Sequence, residues 1–283
     1  MTHIALIGAG GKMGVRLAAN LKKSSYGVDH VENAAAGRER LEKSVGVSCI
    51  DMDDALGRAD AVILAVPDNL IGTIAHGIVD KVKPGTAILM LDAAAPYAGT
   101  LPERDNLTYF VTHPCHPSAF GDETDADARK DFFGGVAAKQ AIVCALVQGP
   151  ESHYALCEDI AKTIFGPVIR SHRCSLEQIA ILEPALSETV GATLCLALRD
   201  ATDEAVRRGV PRDAAMDFML GHISIELAIA FGIFPEGKFS DGALKAIDEA
   251  KPMIFKDGWL ERVFAEEEVM RSVRSICEPR KAA

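Results

Sequence analysis

Four glycines fall within seven residues, Gly8, Gly10, Gly11 and Gly14, and they separate two apolar patterns of different period. Ile4-Ala-Leu-Ile7 is long enough for a buried strand and too short for a helix. Val15-Arg-Leu-Ala-Ala-Asn-Leu21 carries its apolar residues at helical spacing. Strand, glycine turn and helix in that order predict a dinucleotide-binding entry. Glycines let the backbone turn tightly and approach a pyrophosphate with no Cβ in the way. The unpaired N–H groups of the first helical turn, and the helix dipole, then face the anion. Gly8, Gly10, Gly11, Lys12, Met13 and Gly14 are therefore the candidate cradle.

Further β/α units follow. Asp29-His-Val-Glu32-Asn reads as a second strand ending near an acid, and residues 37–46 as a short helix. Glu32 stands where a carboxylate usually accepts from the adenosine ribose hydroxyls and repels an extra phosphate. That favours NAD over NADP, although Arg38 and Arg40 close by argue the other way. Asp60-Ala-Val-Ile-Leu-Ala-Val66 and Ala87-Ile-Leu-Met-Leu91 are unbroken apolar runs, as expected of parallel strands covered on both faces. The first ends in Pro67-Asp68, at a strand terminus that should lie near the cofactor; Asp68 also suits a helix N-cap. The second ends at Asp92. Leu107 to Val111 and 139–147 supply further strands, with a helix at 151–165 and a short strand at 167–173. From Ser175 the pattern turns helical: one long, almost uncharged segment over 175–208, a second helix over 212–231, and shorter ones over 241–276. Glu278 to Ala283 are expected to fray.

The expected fold class is thus α/β: an N-terminal Rossmann doubly wound sheet over 1–174, and a C-terminal all-helical domain over 175–283 built on a long central helix. A helix apolar all round is expected to be buried, as the spine of that domain and of a homodimer. The length of 283 residues suits two domains. A net charge of -10 argues against non-specific attraction to nucleic acid or anionic membrane. No apolar run is read as long enough to span a bilayer. Seven scattered cysteines, an odd number without a Cys-x-x-Cys pair, read as small core residues in a reducing cytoplasm. The N-terminus leaves no room for a signal peptide before its first strand.

Two places concentrate chemistry. In His113-Pro-Cys-His116-Pro117 the prolines restrict the residues before them, so both imidazoles are expected on a stiff, extended loop at a strand's carboxyl end. Imidazole there suits metal ligation or acid–base work near neutral pH. Cys115, by alternation, should point away from both. In the long helix the only interior charges are Glu183 and Glu188. A buried carboxylate must be paired, protonated or metal-bound. Pro184 is expected to kink the helix and aim Glu183 at the cleft. His222 and Glu226, one turn apart, could ligate a metal or orient a partner. Asp122, Glu123 and Asp125 read as a solvated acidic loop and a candidate lid.

The glycine turn resembles that of dihydrodipicolinate reductases, and the overall plan resembles the 6-phosphogluconate dehydrogenase-like superfamily. Within it, the turn together with Ala65-Val-Pro-Asp68, Leu91-Asp-Ala-Ala-Ala-Pro-Tyr97, Thr112-His-Pro-Cys-His-Pro117 and Ile181-Leu-Glu183-Pro-Ala resembles the D-apionate oxidoisomerases. Ordinary members of the superfamily place a catalytic lysine on the long helix. This sequence has none between Ser175 and Gly209. The resemblance implies instead a divalent metal, zinc foremost, held by His113 and Glu183. It also implies NAD as hydride acceptor, a branched sugar acid as substrate, and a hydroxymethyl migration giving 3-oxo-isoapionate. His116 is then the expected base, with Glu188 a second catalytic candidate. Two rivals are a simple hydroxy-acid dehydrogenase without migration and a non-catalytic NAD sensor.

Overall fold

The computed structural model describes residues 1–278; the expected frayed end lies, beyond Glu278, outside the described residues. The chain divides into one compact unit of Met1–Ile181, joined again from Met270 on, and a second of Leu182–Val269.

The first unit is built on a sheet of order β2-β1-β3-β4-β5-β6-β7. The strands are β1 (His3–Ile7), β2 (Gly27–Val31), β3 (Ala61–Leu64), β4 (Ala87–Met90), β5 (Thr108–Pro114), β6 (Gln140–Gln148) and β7 (Val168–Arg173). The first five run parallel, β6 pairs antiparallel to β5, and β7 runs parallel to β6. The chain leaves β1 for β2 on one side and returns to β3 on the other. The carboxyl ends of β1 and β3 therefore flank a crevice at the switch point.

Strand alternation divides the core in two. Ile4, Leu6, Ala61, Ile63, Ala87 and Leu89 enter one core; Ala5, Ile7, Val62, Leu64, Ile88 and Met90 enter the other. Helices α1 (Lys12–Leu21) and α2 (Ala35–Val45) bury Leu17, Leu21, Leu41 and Val45 in the first core. Helices α3 (Met52–Arg58), α4 (Asp68–Ile78) and α5 (Ala94–Tyr97) bury Leu56, Ile71 and Ala95 in the second. Helix α6 (Tyr154–Ile164) then joins the first core, and α7 (Leu176–Ala180) puts Ile179 into the second. The break between units falls after α7, not before it. The Ser175 capping box starts that helix, and its buried Ile179 and Ala180 belong to the sheet's core.

After α7 comes a π-wound segment, Ile181–Ala192, where the sequence predicts a kink at Pro184. Proline removes the N–H that would bond one turn back, and the wider register absorbs the defect over several residues. Thr189 Oγ1 donates to the Pro184 carbonyl at 2.7 Å within it. Then come α8 (Thr193–Arg207) and α9 (Arg212–Ala230), packed together across a turn at Gly209. They are followed by α10 (Asp241–Ile254), α11 (Trp259–Val263) and α12 (Glu266–Cys277), the last of which carries the chain back to the first unit.

Three expectations need correction. The long helix is not buried all round: Leu186, Leu194 and Leu196 are 47%, 37% and 52% exposed. Nor does the absence of a membrane-length apolar run hold. Leu176–Arg207 is 32 residues with mean hydropathy 1.4 in its best window, enough by length and composition alone, and 22% of that window is buried. Finally, of the seven free cysteines only Cys144 and Cys157 are buried, while Cys115 and Cys195 are exposed.

Candidate active site

The cradle forms as its glycines dictate. Gly8 has φ +79°, a left-handed conformation, and a Cβ on it would lie 2.3 Å from the Ala65 carbonyl oxygen of β3's end. A Cβ on Gly14 would lie 2.1 Å from the Gly8 oxygen. A Cβ on Gly10 would lie 2.4 Å from the Gly37 carbonyl. Helix α1 begins at Lys12 behind Gly11, which offers no side-chain cap, so the first-turn N–H groups of Lys12, Met13 and Gly14 stay available to an anion.

Glu32 stands just past β2. Its Oε2 accepts from the Gly10 N–H at 3.0 Å and its Oε1 from the Ala34 N–H at 2.9 Å. The acid thus braces the glycine loop. Arg38 donates to the Glu32 carbonyl and Arg40 to the Gly10 carbonyl, so both arginines anchor backbone here. Pro67 holds the N-cap position of α4 and Asp68 is its first residue. Asp68 therefore sits inside the helix rather than at its cap.

His113 lies within β5, which runs on to Pro114. It keeps the parity of Tyr109 and Val111, so its ring enters the face that α5 and α7 cover. Its Nδ1 is 2.8 Å from the Leu91 carbonyl oxygen. A carbonyl only accepts, so Nδ1 carries the hydrogen and Nε2 keeps its lone pair. Burial pushes this imidazole below the ordinary histidine range, against the Leu91 hydrogen bond and the Asp92 charge that pull it up. Asp92, which sequence reading passed over as a strand end, is buried beside it. Its Oδ1 accepts from the Ala94 N–H at 2.6 Å, and a carboxylate oxygen lies within 4.8 Å of a His113 ring nitrogen. The usable signal was its place at the carboxyl end of a central parallel strand.

His116 departs from the expected extended loop. It has φ +59°, the one non-glycine residue with positive φ among the described residues. A left-handed residue costs about 1–3 kcal/mol and persists only where its surroundings hold it. The Phe133 carbonyl accepts from its Nδ1 at 2.9 Å, and its ring stands edge-on to His113 with centroids 6.2 Å apart. The acidic loop is held by several hydrogen bonds. Lys139 pairs with Asp122 at 3.1 Å, Glu123 accepts the Lys139 N–H at 2.6 Å, and Asp125 caps the N–H groups of Asp127 and Ala128 at 2.9 Å.

In the second unit, Glu183 is half-buried within the π-wound segment and Glu188 is exposed further along it. His222 donates to the Phe218 carbonyl of its own helix at 2.8 Å and stacks on that ring at 3.9 Å. One nitrogen of His222 is thus engaged by α9 itself.

The first unit's residues 3–98 match the family model for the NAD-binding domain of 6-phosphogluconate dehydrogenase. Residues 121–277 match that for the C-terminal domain of decarboxylating phosphogluconate dehydrogenase. Fold and cradle together define an NAD-dependent oxidoreductase on the phosphogluconate dehydrogenase plan. The chain is 58% identical to a D-apionate oxidoisomerase of Rhizobium rhizogenes, covering 98% of this chain and 100% of that one. It is 55% identical to a D-apionate oxidoisomerase of Cupriavidus necator, covering 96% and 98%. It also superposes on the crystal structure of a semialdehyde dehydrogenase NAD-binding protein from Cupriavidus necator in complex with calcium and NAD. There the TM-score is 0.95 at 54% identity, covering 98% of this chain and 99% of that one. The chain belongs to the D-apionate oxidoisomerase family.

Proposed function

We propose that this enzyme oxidises D-apionate with NAD and isomerises the product to 3-oxo-isoapionate, using a divalent cation. The observation that carries this reading is His113: half-buried, with Nδ1 on the Leu91 carbonyl, its proton affinity lowered by burial, and a ring nitrogen within 4.8 Å of an Asp92 carboxylate oxygen. Those donors fit a metal. A neutral imidazole nitrogen next to an anionic oxygen favours a divalent ion, and the nitrogen favours zinc over a hard cation such as calcium. Glu183 is the proposed further ligand. Its half-buried carboxylate in an apolar segment beside Pro184 supports that role.

NAD in the glycine cradle supplies a hydride acceptor, and the cation supplies a Lewis acid for a ketone and the alkoxide beside it. The rest falls to side chains. The alcohol next to the substrate carboxylate is oxidised to a 2-oxo acid. His116, whose Nε2 lone pair is unprotonated in this tautomer, takes the proton of the neighbouring tertiary hydroxyl. The hydroxymethyl group then moves with its bonding pair to the former ketone carbon. The tertiary carbon becomes the new ketone, and the former ketone oxygen gains a proton. Glu188 is the proposed second proton-handling group. Its exposed setting and the bare leucines of the same segment support a homodimer in which another copy covers this face. Seven free thiols support a reducing, cytoplasmic setting.

Purified protein mixed with NAD and D-apionate should reduce NAD and yield 3-oxo-isoapionate, and metal analysis should find about one divalent ion per chain. A 2-oxo acid as the final product would defeat the isomerase half. No NAD reduction would defeat the whole reading.

A further inference from the structure

The imidazole of His116 is tied to the nucleotide-binding helix by hydrogen bonds that the scheme above leaves unused. Asp131 is the hub. It is 8% exposed, and its Oδ2 accepts from the N–H groups of Val136 and Ala137 at 3.0 and 2.9 Å. Its Oδ1 accepts from Arg16 Nη1 at 3.0 Å. The same nitrogen donates to the Gly134 carbonyl at 2.7 Å. One turn further along α1, Asn20 Nδ2 donates to the Gly135 carbonyl at 2.9 Å. Phe133 is held between these anchors. Its carbonyl takes the Nδ1 hydrogen of His116, its ring meets that imidazole edge-on, and the Arg16 guanidinium lies 5.5 Å from the ring's centroid.

Left alone, His116 would relax from φ +59° and its ring would choose freely between tautomers. The Phe133 carbonyl prevents both, provided that it is itself fixed. We propose that Asp131, clamped by Arg16, is a positioning residue that fixes the Phe133 carbonyl and, through it, the orientation and tautomer of the His116 imidazole. The first turn of α1 forms the dinucleotide cradle and its second turn carries Arg16, so base and cofactor share one rigid mount. The proposal rests on the reading of His116 as the base.

The test uses the holoenzyme in three forms: D131N, R16K and H116A. Steady-state kinetics with D-apionate and NAD are combined with ¹⁵N NMR of histidine-labelled protein. In D131N and R16K, kcat should fall about 10- to 100-fold, since small misplacements of a reacting group cost that much. KM for NAD should change by less than about threefold. The His116 signal should move from one Nδ1–H tautomer to a mixture. Wild-type kcat with a single tautomer in folded D131N or R16K overturns the proposal. So does a rise in the NAD KM that accounts for the whole loss while the tautomer stays fixed. If D131N does not fold, R16K decides, because the Arg16 side chain is 30% exposed and outside the core. Wild-type kcat in H116A would instead overturn the reading of His116 as base; the tautomer in R16K then still judges the positioning on its own.

Discussion

Replacing Glu32 by alanine removes two acceptors at once, one from the Gly10 N–H at 3.0 Å and one from the Ala34 N–H at 2.9 Å. Sheltered hydrogen bonds to a charged group contribute about 1.5–3 kcal/mol each. Glu32 is only half-buried, so solvent reduces that to about 1 kcal/mol each. Opening the loop should then weaken NAD binding by about 2 kcal/mol, or about 30-fold in Kd. Glutamine keeps one carbonyl acceptor, so E32Q should lose about 1 kcal/mol, or about fivefold. The two cofactors separate the loop-bracing role from the ribose-reading one. A carboxylate opposes a 2′-phosphate, and Arg38 and Arg40 stand next to it on the Glu32 and Gly10 carbonyls. E32A should therefore also lower the preference for NAD over NADP by about tenfold or more, because like charges set side by side cost several kcal/mol. Isothermal titration of both cofactors into wild type, E32A and E32Q measures all of this. An unchanged NAD Kd in E32A would refute the brace. Equal losses for NAD and NADP would refute the ribose reading and leave Glu32 a purely structural acid.

Gly14→Ala puts a Cβ 2.1 Å from the Gly8 oxygen and 2.8 Å from the Ala9 carbonyl carbon. Overpacking of that kind costs about 1–3 kcal/mol, to be seen as a lower Tm and a weaker NAD titration; wild-type values for both would show that the turn relaxes freely. His113→Ala should leave NAD affinity unchanged while the purified protein loses its bound divalent ion and its turnover, and full metal content would remove His113 from the ligand set. The apo-enzyme should lose stability as pH falls through the unfolded histidine range of about 6.5. Burial holds His30 and His113 below that range in the fold, so the unfolded chain binds more protons there and acid favours unfolding. A Tm that is flat from pH 7.5 to 5.5 would contradict this.

The first unit was legible because its signals are local. A four-glycine turn, apolar runs bounded by Pro67 and Asp92, and a change from period two to helical spacing at Ser175 are all written in neighbouring residues. Short helices were not: α3 and α5 span 7 and 4 residues, too few for a periodic pattern to register. Asp92 escaped notice because its role depends on β4 and β5 lying side by side, a pairing that no spacing reveals. The conformation of His116 escaped for a related reason. Pro117 argues for extended backbone, but Phe133, seventeen residues away, holds a left-handed one. The apolar character of the long helix was plain, yet apolar is not the same as buried. Leu194 and Leu196 stay bare within one chain, since sequence does not say which molecule supplies the cover.

On the proposed reading, His113 and Asp92 take the place of the lysine of ordinary superfamily members. An ammonium brings its own positive charge and needs only an acceptor nearby. Here the charge at the site has the opposite sign. Burial disfavours the charged imidazole, the Leu91 carbonyl accepts from its Nδ1, and Asp92 keeps one oxygen on the Ala94 N–H. What remains is a nitrogen lone pair and an anionic carboxylate at the end of the same pair of strands. A proton is a poor occupant, because a charged imidazole would bear the desolvation that already lowers its proton affinity. A divalent ion would be held directly by that lone pair and the carboxylate, and it could also accept oxygen atoms of a substrate. A residue set that disfavours a proton and favours a dication suits a rearrangement in which negative charge passes from one oxygen to its neighbour and neither oxygen needs to be protonated midway.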